Sequence, residues 1–214
     1  MHENNQFEKE LSELRCKIGS YISGKRYKHT LSVEKEIADL CRIFKLNAQD
    51  TFDLRVAALL HDITKEKSTS EHISVCEDNS IPYSEAETES PKVLHAMTAI
   101  PIIQKDLPMY ARNSILSPVR WHTTGRENMT LGEKLLYLAD YIESTRDFPD
   151  CVHLREIFYS VDDPSDICHL NDVLILSFEM TIRNLLDERA QIHPQTVFSL
   201  NSLLKEQKRY NPNP

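Results

Sequence analysis

Apolar residues recur along this chain at intervals of three and four rather than two, and that period predicts helices. Phe7, Leu11, Leu14 and Ile18 mark a leading helix over 6–22. Thr30, Val33, Ile37, Leu40 and Phe44 stripe a second over 26–46. Asn47–Asp50 is a polar break, and Asp50 or Thr51 offers a cap for the next helix. The run Val56-Ala57-Ala58-Leu59-Leu60 then reads as a buried helix that ends by presenting His61 and Asp62 side by side. Residues 66–91 are acidic and irregular, a short helix followed by a loop. Pro91 suits the first turn of a helix lined by Val93, Leu94, Met97 and Ile100, and Pro101 should end or kink it. Ile115–His122 is a further apolar segment, with Pro118 kinking it or opening its final turn. Thr130 and Glu133 form a capping box, so a helix starts there and runs through Leu135–Ala139 to Asp140. Residues 144–166 read as a long acidic connection, 167–188 as a strong helix, and the chain as frayed after about 205. The predicted fold class is all-α, one helical bundle spanning 1–214.

Composition narrows this. A chain of 214 residues fits one domain with a substantial core. Only 4 glycines, with few alternating runs, again favour helix over sheet. The net charge of −8 argues against general nucleic-acid binding, so an anionic ligand would need local compensation by metal ions and a few Lys or Arg. The 5 cysteines show no C-x-x-C spacing, which fits reduced thiols in the cytoplasm. The first residues lack the basic and apolar regions of a signal peptide, and no apolar run is long enough to span a bilayer. A membrane partner is therefore not expected.

The chemistry lies in ionisable residues set into apolar helices. A buried imidazole or carboxylate is costly unless it is paired or coordinates a metal. His29 sits on the inward side of its helix, one turn after Arg26, which could hold a phosphate oxygen. His61 and Asp62 end one apolar run and Asp140 ends another, where Arg146 is an alternative partner to a metal. His95 and His122 project from the segments between. Lys65 follows Asp62 within a turn, and an ion pair with Glu66 or Asp62 would also account for it. Thr123-Thr124-Gly125-Arg126 offers hydroxyls, backbone N–H groups and a guanidinium, groups that suit a phosphate chain as well as a surface turn. Imidazole and carboxylate together suit iron, manganese or zinc more than calcium or magnesium. No cysteine joins the set, which argues against a structural zinc site.

The order His29, His61-Asp62, His95, His122, Asp140 resembles the HD phosphohydrolase superfamily in its form with a second metal position. Arg26-Tyr27-Lys28-His29-Thr30, His61-Asp62-Ile63-Thr64-Lys65, His122-Thr123-Thr124-Gly125-Arg126 and Tyr137–Glu143 through Arg146-Asp147-Phe148-Pro149 narrow it. They resemble the YqeK-type branch, the bacterial symmetrical diadenosine tetraphosphate hydrolases, over about 20–160. One departure is Leu94, where the resemblance leads one to expect tryptophan before His95. The resemblance implies an HD-domain bundle with one metal on His29, His61, Asp62 and Asp140 and a second on His95 and His122, Asp62 bridging. Two iron ions are expected, with manganese or zinc as alternatives. A metal-bound hydroxide would attack phosphorus, with Asp62 and Lys65 as the catalytic groups. Arg26, Lys65, Thr124, Gly125, Arg126 and Arg146 would bind the substrate, diadenosine tetraphosphate, cut to two ADP. The alternatives are another nucleotide or cyclic-dinucleotide phosphohydrolase, or a non-catalytic ligand-binding HD module. Such modules typically lose ligands, whereas all six positions are filled here. A homodimer is left open.

Overall fold

The computed structural model describes residues 2–210, which are helical with no strand among them. The helices are α1 (His2–Ile18), α2 (Gly24–Ile43), α3 (Ala48–Leu60), α4 (Thr69–Asp78), α5 (Glu85–Glu89) and α6 (Leu94–Asp106). They continue as α7 (Asn113–Trp121), α8 (Leu131–Ile142), α9 (Pro149–Tyr159), α10 (Ile167–Asp187) and α11 (Pro194–Tyr210). Single 3-10 turns precede α6 and α7, at Pro91–Val93 and Pro108–Tyr110.

The hub is α3. Its residues Val56 to Leu60 are fully buried, as a run without polar breaks requires, and α1, α2, α7 and α8 pack around it. Asn47 caps α3 by accepting the Asp50 N–H at 2.9 Å, so the helix begins before the expected Asp50 or Thr51 cap. α6 packs on α7 and α4 on α6, while α9, α10 and α11 close the far side of α8. Among the described residues no helix is long and apolar enough to cross a membrane.

Pro101 lies inside α6, so it does not end that helix, and Pro118 opens the last turn of α7, one of its two expected places. Each removes one helix hydrogen bond, but both rings are buried, and that packing offsets the loss. Two expectations need correction. The stretch 144–166 contains α9, with Pro149 at its first position. Its acidic composition conceals a buried stripe of Cys151, Leu154 and Phe158 at helical spacing. The chain also stays helical past 205. The buried Lys134 ammonium donates to Asn171 Oδ1 and Glu206 Oε1 at 2.9 and 2.8 Å and so anchors α11 to α8 and α10. Of the tail expected to fray, 211–214 lie outside the described residues.

Candidate metal centre

Five helices bring six residues together. His29 comes from α2, His61 is the C-cap of α3 with Asp62 next to it, His95 is the second residue of α6, His122 is the C-cap of α7, and Asp140 lies near the end of α8. All but Asp140 are buried. Two helix C-termini, α3 and α7, therefore turn their partial negative charge toward one place, which favours a cation there.

Asp62 divides the cluster. Its Oδ2 is 3.3 Å from His61 Nε2 and 3.7 Å from His29 Nε2. Its Oδ1 is 3.1 Å from His95 Nε2 and 3.9 Å from His122 Nε2. Asp140 Oδ1 completes the first side, 3.0 Å from His29 Nε2 and 3.8 Å from His61 Nε2. Two sets have ligand atoms all within 4.8 Å of one another: His29, His61 and Asp140, and His61, Asp62 and His122. His61 thus falls in both sets.

The four imidazoles are held alike. Nδ1 of His61, His95 and His122 points at the backbone carbonyl three residues earlier, at 2.6, 2.6 and 2.7 Å. Nδ1 of His29 meets Glu143 Oε1 at 3.0 Å. Carbonyls and ionised carboxylates only accept, so each Nδ1 carries a proton and leaves Nε2 to face the cluster. His29 Nε2 and His61 Nε2 are buried without a hydrogen-bond partner, the contact of His29 with Asp140 being close but out of line for one. His95 Nε2 and His122 Nε2 face each other at 2.9 Å, a spacing two lone pairs tolerate only with a proton or cation between them. Mixed nitrogen and oxygen donors, orphaned inward lone pairs and a shared carboxylate fit a divalent metal.

The charge states agree. Burial opposes ionisation of Asp62, but the imidazoles of His61 and His95 outweigh it and hold its carboxyl well below the usual range. Asp140 is held low against burial by Arg146 and His29. Burial, then the neighbouring imidazoles, keeps His122 neutral, and burial lowers His95 in spite of Asp62. Burial also works against charge on His29, yet the Asp140 and Glu143 carboxylates beside its two nitrogens raise its pKa to about 9. Ionised carboxylates and neutral imidazoles are the forms that bind metal, and a metal on His29 would release its proton.

Cations ring the cluster. Arg26 Nη1 donates to Asp62 Oδ2 at 2.7 Å, and Arg146 Nη2 to Asp140 Oδ1 at 2.7 Å. Lys65 Nζ lies 3.2 Å from His95 Nδ1 and 4.0 Å from Asp62 Oδ1, with burial lowering its pKa. Two clefts open beside the cluster, sharing Arg146 and Phe148. One, about 460 Å³, runs past Thr123, Asp140 and Tyr141, and the other, about 590 Å³, past Arg26, His29 and Lys65.

Thr124, Gly125 and Arg126 line neither cleft and pack instead against α10, α11 and Glu133. Thr124 is buried, and its carbonyl accepts from Ser199 Oγ on α11 at 3.0 Å. Gly125 has φ +63°, and a Cβ there would come within 2.8 Å of Phe178, so packing against α10 demands glycine. Arg126 Nε donates to the buried Glu133 at 2.9 Å. Two residues given no site role of their own in the sequence stand against the cluster. Thr123 Oγ1, one of the hydroxyls noted in the loop after His122, lies 3.2 Å from His122 Nε2. Glu143 orients His29; as the carboxylate one turn after Asp140 it was visible but unassigned.

Residues 26–145 match the HD domain model, more than half of the chain, and the chain belongs to the HD domain family. Within it, the chain is 30% identical over 191 residues to the symmetrical bis(5'-nucleosyl)-tetraphosphatase of Halalkalibacterium halodurans, covering 89% of this chain and 95% of that protein. The Bacillus subtilis protein of the same name is 29% identical, covering 87% and 94%. Among solved structures, a predicted HD superfamily hydrolase involved in NAD metabolism from Clostridium acetobutylicum superposes with a TM-score of 0.79, at 27% identity over 91% of this chain and 97% of that one.

Proposed function

We propose that this protein is a metal-dependent phosphohydrolase that cuts diadenosine tetraphosphate symmetrically into two ADP. The observation that carries the reading is the Asp62 carboxylate, one oxygen turned to His29 and His61 and the other to His95 and His122. That arrangement supports a pair of metals, one held by His29, His61, Asp62 and Asp140 and one by His95, His122 and Asp62. Two iron ions are the proposed pair, with manganese or zinc able to use the same donors. When bound, such a pair supplies an activated water and polarises a phosphoryl oxygen.

The chain's own groups do the rest. Arg26, Lys65 and Arg146 stand within reach of the carboxylates and would neutralise charge developing on the phosphate chain. Arg suits this best because its planar fork pairs bidentately with phosphate. The oxygen of water joins the second phosphorus, the central bridging bond breaks, and the bridging oxygen leaves on the other ADP. The substrate rests on the named relatives, which this chain matches over nearly their whole length. The experiment is chromatography of products from diadenosine tetraphosphate, with metal analysis of protein purified without chelator. ADP alone and Asp62→Ala inactive with reduced metal content are expected. ATP plus AMP would overturn symmetrical cleavage, and full activity of Asp62→Ala would overturn the metal reading.

A further inference from the structure

We infer that the cleft at the start of α2 is a track for the phosphates beyond the scissile bond, and that Lys25 and Lys28 are its outer contacts. The inference rests on the proposed hydrolysis of a dinucleoside polyphosphate and names the residues that measure the length of its phosphate chain.

The cleft, about 590 Å³, has His29 of the cluster at its inner end. Five cations line it, Lys25, Arg26, Lys28, Lys65 and Arg146, in a chain whose net charge is −8. They fall into two rows. Arg26, Lys65 and Arg146 already face Asp62 or Asp140, so they serve the phosphates at the reacting centre. Lys25 and Lys28 are exposed and make no ion pair among the described residues. They lie three apart on α2, and three- and four-residue spacing puts Lys25, Lys28 and His29 on neighbouring positions of one helix face. An outer row of free ammonium groups thus continues outward from the ligand histidine.

Three acids line the cleft against the five cations, so its balance stays positive. Glu66 accepts from Ser23 N and Oγ, both at 3.2 Å, and Glu143 accepts from His29 and from Thr145. Asp147 is the remaining acid on the rim. A substrate with two bridging phosphates would be satisfied by the inner row. Each further phosphate adds negative charge outward, where only the lysines can meet it. Lysine suits this task, binding phosphate as a point charge without demanding one geometry.

The test is steady-state kinetics of wild type, Lys25→Ala/Lys28→Ala and Lys25→Arg/Lys28→Arg on dinucleoside polyphosphates of two, three, four and five phosphates, with bis-p-nitrophenyl phosphate as a short diester. The alanine pair should raise KM for the four- and five-phosphate substrates by about tenfold to hundredfold, the scale of losing one or two charged contacts. Preference for the tetraphosphate over the short diester should fall by a similar factor, with kcat changed less than threefold. Wild-type KM for the tetraphosphate should rise more steeply with salt than that of the alanine pair. The arginine pair should keep the wild-type preference. An equal KM increase on all substrates, or none on the long ones, overturns the track while leaving tetraphosphate hydrolysis standing. A wild type that cleaves the short diester but no dinucleoside polyphosphate overturns the functional reading itself, and the track with it.

Discussion

Glu143 Oε1 lies 3.0 Å from His29 Nδ1, wholly buried, while the other nitrogen of the ring faces Asp140 and Asp62. A carboxylate behind an imidazole fixes both its tautomer and its direction. The Thr145 N–H and hydroxyl hold Glu143 in turn, at 2.6 and 2.7 Å. With His29, these bonds override burial and bring its pKa down to about 2.

Glu143→Gln should therefore weaken metal binding by about tenfold to hundredfold, the usual effect of losing such a partner. Chelator titration followed by metal analysis reads this directly. Unchanged affinity would show that His29 is oriented by packing alone.

His95 and His122 form the side of the cluster served by Asp62 Oδ1. Replacing either with alanine should lower bound metal from about two toward one per chain, since each ligand contributes to its own site. Circular dichroism should show the helices intact. Two metals per chain in both variants would confine these residues to packing.

Arg126 offers a sharper contrast with expectation. Its guanidinium meets Glu133, fully buried at the start of α8, where Ser117 Oγ and the Thr130 N–H also donate to the same carboxylate. Arg126→Ala should cost roughly 1–3 kcal/mol of stability by leaving that buried charge short of a partner. Its kcat/KM on the tetraphosphate should change little. Denaturation melts and kinetics on one preparation separate the two effects; a large kinetic loss without destabilisation would return Arg126 to the substrate.

Asp53 gives a prediction in pH. Burial raises its pKa, but Arg112, Ser114 and Gln49 outweigh that and hold it below the ordinary value. Arg112 Nε lies 2.9 Å from Asp53 Oδ2, tying the start of α7 to α3. A carboxyl depressed in the folded state contributes stability that is fully present above its unfolded pKa of about 4 and is lost as pH falls through the folded value. Wild type should thus lose more stability between neutral pH and acid than Asp53→Asn does. Parallel stability–pH curves for the two proteins would refute the assignment.

The sequence by itself determined the helical class and singled out the six residues that the fold gathers. Helical periodicity depends on which face is buried, and a His or Asp that ends an apolar run stands out against it, as His61-Asp62 and Asp140 do. It also located the capping box that starts α8, because that signal is local. Elements held by distant contacts were not legible. α9 hides its stripe in acidic sequence, and α11 is anchored past 205 by a lysine 72 residues away. Tertiary structure alone decided which side of Asp62 meets which histidines and that Glu143 stands behind His29. It also set Gly125 against α10 and Arg126 against Glu133. Proximity to His122 in sequence could not reveal this, because one positive-φ residue redirects the chain beyond it, and the direction shows only when the partner helices are in place.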